Sequence, residues 1–170
     1  MSIHVLNLST CPELYTVCAS WAYEQWHKKN KTRYAVVKAD YKHRAGTGLL
    51  PTTFVAMYGS RPIGMVSLKA YDLVTRRDLS PWLSALYVDV KFRNRGIGRL
   101  LVKTAIQTAL NRGYPLLFLF TDRDNTDELV RFYSRLGWTY HDDARDIRSF
   151  QVKIMKYLLQ SPPAAPMCND

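Results

Sequence analysis

Arg93, Asn94, Arg95, Gly96, Ile97, Gly98 and Arg99 form a basic, glycine-containing stretch between an apolar run and an amphipathic one. Glycine lets a backbone turn tightly and lets its N–H groups approach a ligand closely. A helix opening straight after the loop adds unpaired N–H donors and a partial positive charge. That combination holds a phosphate or a pyrophosphate. The chain is therefore expected to bind a phosphorylated cofactor.

The elements that position this loop are legible in outline. Residues 82–88 are nearly continuous in apolar side chains, as a central strand would be. From residue 98 to 112, Leu101, Val102, Ala105, Ile106 and Ala109 recur at helical spacing, and Gly113 and Pro115 stop the helix. Residues 116–120 read as a second buried strand, and 126–136 as a helix stopped by Gly137. Upstream, 3–6 reads as a strand, and Thr10-Cys11-Pro12-Glu13 as a capping box opening a first helix. A weaker helix covers 33–44, and strands at 53–58 and 63–71 flank a hairpin turn at 59–62. Strands at 138–141 and 149–156 close the fold, and the proline-rich residues 161–170 read as a disordered tail. One domain, 1–160, is expected.

A dinucleotide loop would need G-x-G-x-x-G, but Leu101 stands at the third glycine position; a P-loop motif is absent. Arg93-Asn94-Arg95-Gly96-Ile97-Gly98 instead fits [RQ]-x-x-G-x-[GA] at every fixed position, and residues 132–138, Phe-Tyr-Ser-Arg-Leu-Gly-Trp, fit F-Y-x-x-x-G-[FW]. With these two elements in the strand order read above, the chain resembles the GNAT family of acetyl-CoA-dependent N-acetyltransferases from residue 3 to 157.

The resemblance implies a mixed, mostly antiparallel α/β (α+β) sheet of about seven strands, splayed between strands four and five and flanked by about four helices. It implies acetyl-CoA as cosubstrate, with its pyrophosphate on the amides of 93–99 and charge supplied by Arg93, Arg95 and Arg99. The backbone of Leu86 and Val88 would pair with the pantetheine arm, and Asn125 would touch the cofactor or simply cap its helix. Tyr133 falls where the family places its general acid, the alternative being a plain core aromatic. No acid clearly holds a base position; Asp122, Glu128 and His141 are the candidates for base or acceptor binding. The implied reaction is direct acetyl transfer to an amine in a ternary complex. A peptide or protein acceptor, and a non-catalytic acetyl-CoA-binding module, are the alternatives.

Bulk properties narrow the setting. Net charge is +10 over 170 residues, yet seven of the 14 acids fall between 122 and 146, where four arginines oppose them. That segment is net −3 and the remainder +13. An acid-lined mouth at Asp142, Asp143 and Asp146 would attract a cationic small-molecule amine. No nucleic-acid motif is present, so that partner is not expected. Cys11, Cys18 and Cys168 read as unpaired thiols, and no Cys/His cluster suggests a metal. No apolar run approaches a membrane span, and the start lacks signal-peptide character, which points to the cytoplasm. The family permits a homodimer.

Overall fold

Seven strands form one sheet in the order β1-β2-β3-β4-β5-β7-β6. They are β1 (Ile3–Asn7), β2 (Thr52–Tyr58), β3 (Arg61–Lys69), β4 (Trp82–Val88), β5 (Leu116–Phe120), β6 (Thr139–Arg145) and β7 (Gln151–Leu158). The helices are α1 (Tyr15–Ala22), α2 (Tyr34–Arg44), α3 (Ile97–Asn111) and α4 (Thr126–Ser134). This computed structural model describes residues 2–121 and 126–159. Every neighbouring pair is antiparallel except β4 and β5, which run parallel. The expected mixed, mostly antiparallel sheet is what the chain forms.

Each face of the sheet has its own core. Ile97, Leu101, Val102, Ala105 and Ala109 carry α3 onto one face, where they meet Phe54, Ile63, Leu83, Leu117, Tyr133 and Trp138. This apolar stripe at helical spacing is what folds α3 down onto the strands. On the opposite face, Cys18, Ala19 and Ala22 of α1 and Val37 and Tyr41 of α2 cover Val55, Met57 and Met65. A third cluster, Leu73, Trp82, Phe118, Val152 and Ile154, lies under the loop joining β3 to β4.

Several local expectations need correction. Thr10 does not open α1: Asn7 caps a short 3-10 turn at Leu8–Thr10 by accepting from Ser9 N, and the Thr10 hydroxyl donates back to Asn7 O. A second 3-10 turn, Pro12–Leu14, intervenes before α1 begins at Tyr15, so Cys11 and Cys18 do not share a helix. Both thiols are buried and free. α1 then continues through a π-turn at Tyr23–His27 and a 3-10 turn at Lys28–Asn30, ending on left-handed Lys31. The β2–β3 turn is only Gly59 and Ser60. Pro62 sits inside β3, opposite Met57, where the register shifts; a bulge tolerates a residue without an N–H donor. The closing hairpin is longer than expected because β6 runs on to Arg145. The 161–170 tail lies outside the described residues.

Candidate active site

A central strand in a seven-stranded sheet should be buried along its length. β4 is not: Trp82 and Leu83 are buried, but every residue from Ser84 to Val88 is only half-buried. Two features produce the opening. β4 pairs with β5 at one position, Trp82 opposite Phe118, supported by Phe118 N donating to Pro81 O at 3.0 Å. Among the described residues no further β4–β5 pair follows, so the strands part toward the β4 C-terminus. On its other side, Met65 stands opposite Tyr87 and Ser67 opposite Ser84, so β4 carries an extra residue. Ala85 lies in that bulge with φ 53, left-handed for a residue with a Cβ. A bulge leaves part of the ladder unpaired and re-aims the strand. Gly64 makes room for it: a Cβ there would stand 2.7 Å from Tyr87 O.

The glycine loop follows the open half of β4. Asp89 accepts from Lys91 N and turns the chain through a short 3-10 segment, Val90–Phe92. Asn94 and Gly96 are both left-handed, with φ 60 and 78. Gly96 stands at the N-cap of α3 without a side chain to occupy the first amides; Leu100 N is already bonded to Gly96 O. The N–H groups of Ile97, Gly98 and Arg99 are therefore the donors a helix N-terminus offers to an anion. A Cβ on Gly98 would meet only Phe132 at 3.5 Å and Val88 at 3.9 Å, so here the glycine matters for the thinness of the loop.

The loop arginines separate into roles. Arg93 Nε donates to Val88 O at 3.1 Å and ties the loop to the end of β4. Arg95 lies over the Phe92 ring at 5.6 Å, and Arg61, from β3, covers the same ring at 5.1 Å while pairing with Asp89. Arg99 is exposed and has no ion pair among the described residues.

Tyr133, on α4, is buried, with Phe132 and Trp138 at 5.0 and 5.8 Å in edge-on contact. Burial pushes its phenol pKa upward, so the proton is held throughout the neutral range. Its carbonyl accepts from Leu136 N and Trp138 N around left-handed Gly137, which ends α4. Glu128 is exposed on the first turn of α4. His141 is half-buried beside the Phe118 ring, 5.3 Å away, at the register shift in β6. Asp122 and Asn125 lie outside the described residues.

The acids read as a mouth each have a basic partner. Asp142 pairs with Arg76 at 2.7 Å, Asp143 with Lys153 at 3.6 Å, and Asp146 with Arg148 at 3.6 Å. Asp146 also accepts from Arg148 N and Phe150 N, shaping its own turn. Three of these partners, Arg76, Arg148 and Lys153, lie outside residues 122–146, so counting charge by segment missed them.

Sequence reasoning also missed a buried polar group beneath α2. Arg44 is 4% exposed, pairs with Asp40 at 2.5 Å and donates to Ser67 Oγ at 3.1 Å; Ser67 in turn meets Thr53 Oγ1 at 2.7 Å. Its guanidinium covers the Tyr41 ring at 4.4 Å. The i,i+4 spacing of Asp40 and Arg44 was the available signal.

The profile of the acetyltransferase (GNAT) family matches residues 2–138. An uncharacterized N-acetyltransferase of Methanocaldococcus jannaschii is 31% identical over 87 residues, 50% of this chain and 38% of its own length. Mycothiol acetyltransferase of Jonesia denitrificans is 38% identical over 79 residues, 46% of this chain and 24% of its own. The chain thus spans well under half the length of either relative. An aminoglycoside 6′-N-acetyltransferase complexed with coenzyme A superposes with a TM-score of 0.72 over 96% of this chain and 99% of that one, at 15% identity, a likeness of fold. With the family's profile covering most of its length and a split, bulged β4 leading into the glycine loop, the chain belongs to the GNAT acetyltransferase family.

Proposed function

We propose that this protein transfers the acetyl group of acetyl-CoA directly to the nitrogen of a primary amine. The observation that carries this reading is the half-buried second half of β4, a strand central in the sheet yet opened by a bulge on one side and a diverging β5 on the other. An extended pantetheine arm can add to such an edge through the backbone of Leu86 and Val88, as a strand would. The pyrophosphate then falls on the amides of Ile97, Gly98 and Arg99, with Arg93, Asn94, Arg95 and Gly96 forming the loop around it. Asn125 is a further cofactor contact in this proposal.

The reaction needs three things. The amine nitrogen forms a bond to the thioester carbonyl carbon, and the resulting oxyanion needs a positioned donor; a β4 N–H freed at the bulge supplies it. Collapse breaks the C–S bond and expels a thiolate. Tyr133, kept protonated by burial, gives its proton to that sulfur and regains one from the solvent. The attacking amine must be neutral. His141, Glu128 and Asp122 are the candidates to take its proton, directly or through water.

For the acceptor we propose a cationic small-molecule amine. Its support is Asp127 and Glu128, exposed on the first turn of α4 without ion pairs among the described residues, since Asp142, Asp143 and Asp146 are already paired. The described residues contain no helix long and apolar enough to cross a membrane, and we propose a cytoplasmic enzyme. The test is CoA-thiol release from acetyl-CoA against polyamines, amino sugars, amino acids and short peptides. Turnover with polyamines or amino sugars supports the proposal. Turnover with peptides alone replaces the acceptor class, and cofactor binding without turnover on any amine overturns catalysis.

A further inference from the structure

The glycine loop carries two left-handed residues, Asn94 and Gly96, yet little inside it holds that shape. Among the described residues, Arg93 Nε to Val88 O is the one side-chain hydrogen bond made by residues 93–96. Left-handed backbone at a residue with a Cβ persists only where the surroundings impose it. The restraint comes from outside the loop, at Phe92.

Phe92 is half-buried and meets side chains from three segments. Tyr58, the last residue of β2, lies 5.8 Å from it, ring centroid to ring centroid. Arg61, the first residue of β3, lays its guanidinium over the same ring at 5.1 Å, and Arg95 of the loop lies over it at 5.6 Å. A guanidinium over an aromatic face is attracted by the ring quadrupole. Tyr58 and Arg61 stand opposite each other across the tight turn of the β2–β3 hairpin. Arg61 also pairs with Asp89 Oδ2 at 3.2 Å. Asp89 Oδ1 accepts from Lys91 N at 3.0 Å, and Asp89 N donates to Ile63 O at 2.9 Å. The hairpin tip, the segment after β4 and the glycine loop thus share one ring and one carboxylate.

We propose that Arg61, Phe92 and Asp89 are positioning residues for cofactor binding: they fasten the glycine loop to the tip of the β2–β3 hairpin, so that the amides of Ile97, Gly98 and Arg99 are set for a pyrophosphate before it arrives. This rests on the proposed use of acetyl-CoA and adds the residues that hold the loop without touching the ligand. A loop already held in its bound shape loses less conformational entropy on binding, and the difference appears as affinity.

The test is calorimetric titration of the full chain with CoA, for Phe92→Leu, Phe92→Tyr, Arg61→Gln and the double variant of Phe92→Leu with Arg61→Gln. Circular dichroism checks that each variant is folded. Phe92→Leu keeps every charge and removes only the ring. Exposed contacts of this kind are individually modest, so Phe92→Leu and Arg61→Gln are each expected to weaken CoA binding about fivefold. Phe92→Tyr, which restores a ring, should bind as the unsubstituted protein does. The double variant should lose little more than either single one, because both break the same brace. The ratio to the unsubstituted protein should persist in about 1 M salt, where the Debye length is about 3 Å. Without ligand, hydrogen exchange at the amides of 94–99 should quicken in both single variants while β3 is unmoved. Unchanged affinity or unchanged loop exchange in Phe92→Leu overturns this proposal and leaves acetyl-CoA use standing. So does a failure of Phe92→Tyr to restore binding, or a double variant whose loss is the product of the single losses. An Arg61→Gln loss that vanishes in high salt makes Arg61 a remote charge and also overturns it. Failure of the unsubstituted protein to bind CoA overturns both readings.

Discussion

The two faces of the sheet are built on different principles. On the α3/α4 face, the candidate site is made chiefly of backbone: a bulge at Ala85, a strand pair that ends after Trp82–Phe118, and a helix start left open by Gly96. Side chains there serve mainly to pack, in a continuous apolar core. On the α1/α2 face, the core is interrupted by buried Arg44, Ser67 and Thr53, and α1 gives way to a π-turn. A ligand recognised through backbone needs only a particular chain path, so the side chains around it can be ordinary. A face organised by buried polar contacts depends on each partner, because leaving one unpaired in low dielectric is costly.

This contrast is sharpest at Tyr133, a core side chain of the α3/α4 face to which we assign the proposed proton transfer. Tyr133→Phe keeps the contacts with Phe132 and Trp138 but removes the proton. We expect kcat to fall about 100-fold with little change in the KM for acetyl-CoA. An unchanged kcat in steady-state assays would return Tyr133 to pure packing. Next in size is Gly64→Val. Its Cβ would meet the Tyr87 carbonyl, a backbone atom that cannot move without disturbing the bulge. A loss of about 2–3 kcal/mol in urea unfolding is expected, together with reduced turnover.

On the other face, Asp40→Ala leaves Arg44 buried with only Ser67 and the Tyr41 ring. Breaking a buried pair costs about 3–5 kcal/mol, and water reaching the half-exposed Asp40 position brings the expected loss nearer about 2 kcal/mol. A loss near zero by urea unfolding would show that this face tolerates polar disruption as well as the first. The smallest effect should be the pH response of His27. Burial is the main cause of its lowered pKa, aided by Arg44 and Lys69 and opposed by Asp40 and Asp72. The unfolded chain, with an ordinary value of 6.5, then binds the proton more readily. Its contribution is intact above pH 6.5 and is lost as pH falls through the lower folded value. His27→Gln should flatten the decline in thermal midpoint between pH 7 and 5.

β4 and β5 are legible to the residue from their apolar runs: in β5 burial on both faces leaves few other choices of residue, and β4 keeps an apolar sequence although its second half is only half-buried. The glycine loop is equally legible, since left-handed backbone and close approach demand glycine locally. The start of α1 is not: Thr10 and Glu13 have the capping-box spacing, but Asn7 captures the turn first. The partners of the acids at 142–146 were hidden for a related reason. Arg76 reaches Asp142 across 66 positions and Arg148 reaches Asn30 across 118. Pairings of that span have no local signature.

Sequence alone thus determined the succession of strands and helices, the glycine loop and Tyr133 on its helix, each dictated by neighbours within a few residues. Tertiary structure alone decided where β4 parts from β5, which charges are paired, that Arg44 is buried, and that Tyr58, Arg61 and Arg95 meet around Phe92. The physical reason is range. Backbone conformation and hydrophobic periodicity act along the chain, whereas Coulombic partners, strand divergence and ring contacts form only when distant segments meet.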